Sequence, residues 1–277
     1  MKMENESIVG SPTLKSNWPR TAEERVRAFA ESTGCFFLFW AIYLLTGSYR
    51  RSPFNAHVYL AYSLLHGRFD LINPPANFEI IHYAGRNYVA YGIAPSLLML
   101  PFVALYGLSF HQSIFKAALA ALAVTLWRAT LASLEIYGVT RTLFTILFGL
   151  GSLFWFYGGA HGDTWSLMHV TAVLGLTLAI YDVVGKGRGW LAGIGFGFAV
   201  LARQPVLLSL PFFVGMLWRN DARAVNRNLN REIWFAACFA ALMILEAYYN
   251  AARFGSPFDN GYKRALVGIP MQWGCLA

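Results

Sequence analysis

Long apolar blocks alternate along the chain with short polar, basic or glycine-rich interruptions. CFFLFWAIYLL, TLFTILFGLGSLFWFY and IWFAACFAALMIL carry no charged residue. Blocks of this kind cross a bilayer as helices, because lipid offers no partner for an unpaired backbone amide. A lipid-facing sheet would need closed strands of alternating polarity, and no such alternation appears. The pattern therefore predicts an all-α fold, a polytopic transmembrane helical bundle. Its most informative interruption comes early. Ser48 to Tyr91 is polar, aromatic and charged, wedged between a first apolar segment and a long series of others. So long a non-spanning loop so close to the start points to a site built there.

The basic residues fix the sidedness. Met1 to Ala30 holds Lys2, Lys15, Arg20, Arg25 and Arg27, so residues 1–30 are expected in the cytoplasm, with a transmembrane module over 31–277. The leader is too long and polar for a cleaved signal peptide, which makes the first span, about Gly34 to Gly47, an uncleaved anchor. The Ser48 loop then lies outside. Gly185–Gly189 and Arg219–Arg231 are basic and belong inside. The block between them must go out and return in two arms of roughly thirteen residues, each reaching only about 20 Å against a hydrocarbon thickness of about 30 Å. Arg203, Gln204 and Pro205 fall near the tip of this short hairpin. Such a tip borders a cavity, since non-helical backbone at membrane depth needs protein or water around it.

Counting back, Trp165–Val184 is a span, GGAHGDTW an outer turn, Tyr137–Arg141 an inner one, and Ser113–Ile136 a span that starts outside. On this parity Ile93–Leu108 does not cross and lies along the outer face as a horizontal or re-entrant helix. If it crossed, Asp163 would move to the cytoplasm. Ile233–Tyr249 finally delivers NAARFGSPFDNGYKR to the outside. The count is about seven membrane segments, including the two short arms. Loops 48–112, 159–164 and 250–277 share the outer face.

Composition narrows the class further. With 57% hydrophobic and only 13% charged residues, 277 residues are too apolar for a soluble domain and fit a multi-pass cell-membrane protein. The net charge of +8 is spread between apolar segments and forms no single stripe, which argues against nucleic acid. Cys35, Cys238 and Cys275 match neither a disulfide framework nor a metal-ligand spacing.

Several residues could carry chemistry. Arg128, within a span, costs at least about 2.5–3.5 kcal/mol to insert and should face the bundle interior, either as a ligand for a lipid phosphate or as a partner of Glu135 or Glu246. Arg203 at the tip has the same reading. In GGAHGDTWSLMH, the spacing of His161, Asp163 and His169 suits an acid/base pair or a metal, while Asp163 would equally serve as the N-cap of the helix starting near Thr164. Phe54–Gly67 reads as an amphipathic surface helix with Asn55, His57 and Ser63 off its apolar side. Asp70 and Glu79 are the acids of the first loop. Its aromatics either stack on a sugar or mark the headgroup belt.

In order, NAHVYLAYSLLHGRFDL, YVAYGIAPSLLMLPFVALYG, the GGAHGD turn, WLAGIGFGFAVLARQP and YYNAARFGSPFDNGY resemble the membrane module of the C-type (GT-C) lipid-linked glycosyltransferases. The likeness is nearest to the protein mannosyltransferase and aminoarabinose-transferase branch, and covers roughly Gly34 to Tyr262. It implies transfer of a sugar from a polyprenyl-phosphate donor outside the cytoplasm, through a long first outer loop carrying horizontal helices. An acid of that loop, or Asp163 of the second, would activate the acceptor hydroxyl, while cations hold the leaving phosphate. Asp163, Asp70 and Glu79 are the catalytic candidates. Arg128, Arg203, Arg253, Asn55, His161 and Tyr262 are the substrate-binding ones. The resemblance also allows a divalent metal between Asp163 and a first-loop acid, although some relatives work without one.

Two departures stand out. The position of the family's acid appears as Asn55, which cannot act as a base. The sequence also stops where the family usually continues, as in a truncated paralogue or one whose further spans come from a protein partner. A non-catalytic lipid-holding or scaffolding protein is therefore the alternative reading. A transporter is the third, although no paired inverted repeat is visible.

Overall fold

The computed structural model describes residues 21–75, 80–159, 162–185, 187–222 and 229–262. Helix accounts for 75% of it. Among the described residues, four helices are long and apolar enough to cross a membrane: α1 with its continuation (Ala22–Gly47), α4 (Gln112–Ser133), α7 (Thr164–Val184) and α10 (Asn230–Phe254). A bent pair, α5 (Gly138–Gly149) and α6 (Leu153–Gly159), makes a fifth if counted as one span. Shorter apolar helices are α2 (Ala56–Leu65), α3 (Ala94–Tyr106), α8 (Trp190–Ala202) and α9 (Leu210–Ala222). Leu38, Leu147, Phe156 and Ile244 are exposed, as suits helices solvated by lipid.

The start of α1 is set by a capping box. Thr21 Oγ1 accepts the Glu24 N–H at 3.1 Å, and the Glu24 carboxylate accepts the Thr21 N–H at 3.3 Å. The helix thus begins inside the segment expected as a cytoplasmic tail. At its far end a π-turn, Leu44–Ser48, holds Gly47 at φ 146°. The TLFTILFGLGSLFWFY block, which reads as one span, is bent by 63° between Gly149 and Leu153. The Tyr43 hydroxyl donates to the Gly149 carbonyl at 2.9 Å, and a Cβ on Gly149 would collide with the Phe39 ring. That close approach holds the bend against α1.

α8 is the hub. Asp182 near the end of α7 is buried, and its carboxylate accepts N–H groups from Arg188 (3.2 Å), Gly189 (2.9 Å) and Ala192 (3.2 Å). These bonds satisfy donors that the first turn of α8 leaves over. The helix then runs between α7 and α10 on small residues. A Cβ on Gly195 would meet the Gly175 carbonyl at 2.7 Å, and one on Gly193 would meet the Phe235 carbonyl at 2.5 Å. Glycine on both faces lets two neighbours approach to backbone contact.

The block between the two basic turns breaks at Arg203 and folds back on itself, with the Phe196 and Phe213 rings 4.8 Å apart. α8 ends at Ala202, Arg203 is extended (φ −144°, ψ 100°), and a 3-10 turn over Gln204–Ser209 leads into α9. Each arm has 13 residues, about 20 Å of helix.

The first loop differs from its sequence reading in two ways. It contains strand, a β1 (Ile80–Tyr83) and β2 (Arg86–Val89) hairpin running from Ile80↔Val89 to Tyr83↔Arg86. Its turn residues Ala84 (φ 49°) and Gly85 (φ 72°) both have positive φ, the twist that suits a two-residue hairpin. Second, α2 does not present a polar side. His57 and Ser63 are buried: His57 Nδ1 lies 2.9 Å from Ser96 Oγ, and Ser63 Oγ accepts the Ile72 N–H at 3.0 Å. α2 packs on α3, which at 13 residues with Pro101 inside is about 20 Å long.

Candidate functional site

One end of the bundle gathers the starts of α2, α4 and α7 and the ends of α8 and α10. Gln112, in the first turn of α4, is the connector. Its Nε2 donates to the Gly162 carbonyl at 2.7 Å and to the Phe54 carbonyl at 3.2 Å. Thr164 Oγ1 donates to the same Phe54 oxygen at 3.0 Å and accepts the Ala56 N–H at 3.1 Å. Asn55 is thereby fixed beside the turn that carries Asp163. Gly162 is needed there, because a Cβ would run into the Ser113 side chain.

Asp163 caps α7, its Oδ1 accepting the Ser166 N–H at 2.6 Å. One turn along α4 from Gln112, Lys116 is fully buried and lies in the field of that carboxylate. His169 stacks on Tyr157 (4.5 Å between centroids, 21°) and meets Trp165 edge-on at 4.6 Å. Met168 and Ala172 of α7 pack with Leu201 and Ala202 of α8, which places the hairpin tip across from the start of α7.

The tip carries the second half of the site. Burial pushes the Tyr262 phenol above its ordinary range, and the charge of nearby Arg203 opposes that shift. Gln204 Oε1 accepts from Asn260 at 2.6 Å, and its Nε2 reaches Glu246 Oε1 at 3.5 Å. Glu246 also accepts from Asn250 at 3.4 Å. Arg253 donates to Asn250 Oδ1 at 2.7 Å and to the Val89 carbonyl at 3.1 Å, with its guanidinium 3.7 Å above the Tyr249 ring. A small enclosed space between Tyr91, Gly92, Glu246, Arg253 and Tyr262 sits beneath the tip. Buried atoms of Glu246, Tyr249 and Arg253 there have no hydrogen-bond partner.

Of the residues singled out by sequence, Asn55, Asp163, Arg203, Arg253 and Tyr262 meet at this end. His161 and Glu79 lie outside the described residues. Asp70 is buried at the side, in a cavity of about 320 Å³ lined by Arg68, Arg86, Tyr88 and Ala252. Hydrogen bonds from Arg68 hold its carboxyl below the usual carboxylate range, with Arg86 adding charge at 3.8 Å. Arg128 does not belong to the site. Sixteen residues along α4 from Gln112, about 24 Å of helix, it pairs with Glu31 of α1, where the alternative to a phosphate ligand names Glu135 or Glu246.

Lys116, Glu246 and Asn250 were not read as site residues from sequence. The rule that singled out Arg128, a charge inside an apolar span, applies equally to Lys116 and Glu246. Among the described residues no group of three or more His, Cys, Asp or Glu side chains is placed to hold a metal. Asp70, engaged by two arginines, does not fit as the first-loop partner of Asp163 in such a site.

No family model matches the chain, and neither does any curated protein or solved structure.

Proposed function

We propose that this chain is a membrane glycosyltransferase-like protein of the GT-C type, taking a sugar from a polyprenyl-phosphate donor on the extracytoplasmic face of the cell membrane. One observation carries the reading. Gln112 ties Phe54 to Gly162, so Asn55 of the first loop and Asp163 of the second stand at the same end of the bundle as Lys116 and Arg203. Arg188 and Arg231, which meet at the turn over 187–189, lie at the opposite end of α8 from Arg203, and this supports a cytoplasmic N-terminus.

In this reading the first loop and α3 lie along the outer face above the hairpin tip. Asp163 accepts the proton of an acceptor hydroxyl through the oxygen not used in the cap. The freed oxygen attacks the anomeric carbon, and the bond from that carbon to the phosphate oxygen breaks. Arg203, with Lys116 and Arg253 behind it, neutralises the departing phosphate. Asp70 has no part in this step, because its arginines already hold it.

One observation favours the alternative of a lipid-holding or scaffolding protein. Asn55 stands where the family has its acid, and Asp163 is already used in capping α7. Membranes containing the chain are supplied with radiolabelled polyprenyl-phosphate sugar, comparing wild type with Asp163→Asn, Asp70→Asn and Arg203→Ala. The transferase reading expects transfer by wild type and Asp70→Asn, and its loss in the other two. Binding of the lipid without transfer by wild type selects the scaffold.

A further inference from the structure

At the end of α4 away from this site, three arginines surround one glutamate. Arg27 and Glu31 stand one turn apart on α1, with Nε 3.2 Å from Oε1. Glu31 Oε2 faces Arg128 of α4 at 3.9 Å and Arg141 of α5 at 3.7 Å. Arg141 is anchored by a bond from its Nε to the Arg128 carbonyl at 3.1 Å, with its Nη1 turned toward Glu31. Three guanidiniums around one carboxylate leave a net charge of +2. The Arg128 and Arg141 side chains are only 22% and 17% exposed, so they are poorly placed to recover that charge from bulk water.

The cluster's setting defines what would balance it. α1 and α5 both pack on α4, and their outer surfaces beside the arginines carry exposed Val26, Phe29, Val139 and Leu143. Arg128 lies five residues from the end of α4 and Arg141 three from the start of α5. Measured along the helices, both sit within about 8 Å of the bundle's end, the depth of lipid headgroups. A guanidinium is a fork of donors matched to phosphate oxygens.

We infer that Arg27, Arg128 and Arg141 form a binding site for the phosphate of an anionic phospholipid, its acyl chains lying against the apolar flanks of α1 and α5. This rests on the reading of these helices as membrane spans, and on the orientation above the leaflet is the cytoplasmic one. It does not depend on sugar transfer. The site is about 24 Å of helix from Gln112, so its lipid is distinct from any donor bound at the hairpin tip.

The full chain is purified in detergent, mixed with phosphatidylglycerol and phosphatidylcholine of matched acyl chains, and examined by native mass spectrometry. Wild type is expected to retain phosphatidylglycerol in preference to phosphatidylcholine. Each arginine replaced by glutamine should weaken retention about fivefold. Arg27→Gln is the safest variant, since that side chain is 84% exposed and its loss leaves the packing intact. Millimolar inorganic phosphate should not displace the lipid. Equal retention of both lipids, retention unchanged in Arg27→Gln and in Arg128→Gln/Arg141→Gln, or displacement by inorganic phosphate overturns the inference. Loss of sugar transfer with lipid retention intact would count against the transferase reading alone.

Discussion

The Nε2 of Gln112 donates to the carbonyl oxygen of Gly162 at 2.7 Å, across the junction of α4 and the turn that leads into α7. With its second bond, to Phe54, this one amide group joins three segments that are far apart in sequence. A donor is required, so the chemistry of the side chain matters more than its size. Gln112→Glu, nearly isosteric but without the N–H, should lower the stability of the purified chain by about 1–3 kcal/mol, as should Gln112→Ala. Thermal unfolding in detergent reads this, and a Gln112→Glu variant as stable as wild type would refute the role.

Gly92 lies against the end of α8. A Cβ there would collide with the Leu201 carbonyl oxygen and sit 3.3 Å from that of Ala202. Backbone cannot turn aside as a side chain can, so Gly92→Ala should cost about 1–3 kcal/mol and displace the hairpin tip. Gly34→Ala is the control, because nothing lies within 4 Å of its Cβ position. It should be neutral or stabilise α1 by up to about 1 kcal/mol. Equal melting temperatures for the two variants would contradict the close approach.

His57 gives the α2–α3 contact a pH dependence. Burial lowers its pKa to about 3 from 6.5. The unfolded chain therefore binds the proton that the folded chain refuses. Stability is complete above about pH 6.5 and falls on acidification toward pH 3, by up to about 1.4 kcal/mol per pH unit. Asp70, whose carboxyl is held low by Arg68, adds a loss only at the acid end, as pH falls below the usual carboxylate range. Melting curves at pH 7, 5.5 and 4.5 should show the decline, and His57→Gln should flatten it. A wild-type melting temperature constant over that range would rule the mechanism out.

The Asp182 cap predicts a local effect. Asp182→Ala leaves three N–H groups at the α7–α8 turn without their acceptor, at a cost of about 1–3 kcal/mol. Limited proteolysis should then cut near residues 185–189 sooner than in wild type. An unchanged cleavage pattern would mean that other groups satisfy the turn.

Parts of this architecture could be read before the structure, and the reasons differ from residue to residue. The break at Arg203 was legible because two basic turns bracket an apolar block too short to cross twice. Asp163 was legible as a cap because it directly precedes an apolar helix. The bend at Gly149 was not, since it depends on Phe39 and Tyr43 of a distant helix. The β1–β2 hairpin is too short to register against its surroundings, and only the Ala84–Gly85 turn betrays it. The partner of Arg128 could not be found either. Glu31 stands on α1 between the residues that read as cytoplasmic tail and the expected first span, and only the packing of α1 on α4 brings it to the arginine.

The glycines of α8 bear on how the chain is made. A helix of 13 residues with small side chains on two faces presents little to lipid until those faces are covered. α7 emerges from the ribosome first and covers one face, with Asp182 latching the turn. α10 emerges later and covers the other. Until it arrives, the faces of Gly193 and Gly197 that meet Phe235 and Leu242 are uncovered, so a chain arrested before residue 230 leaves that side of α8 open to lipid.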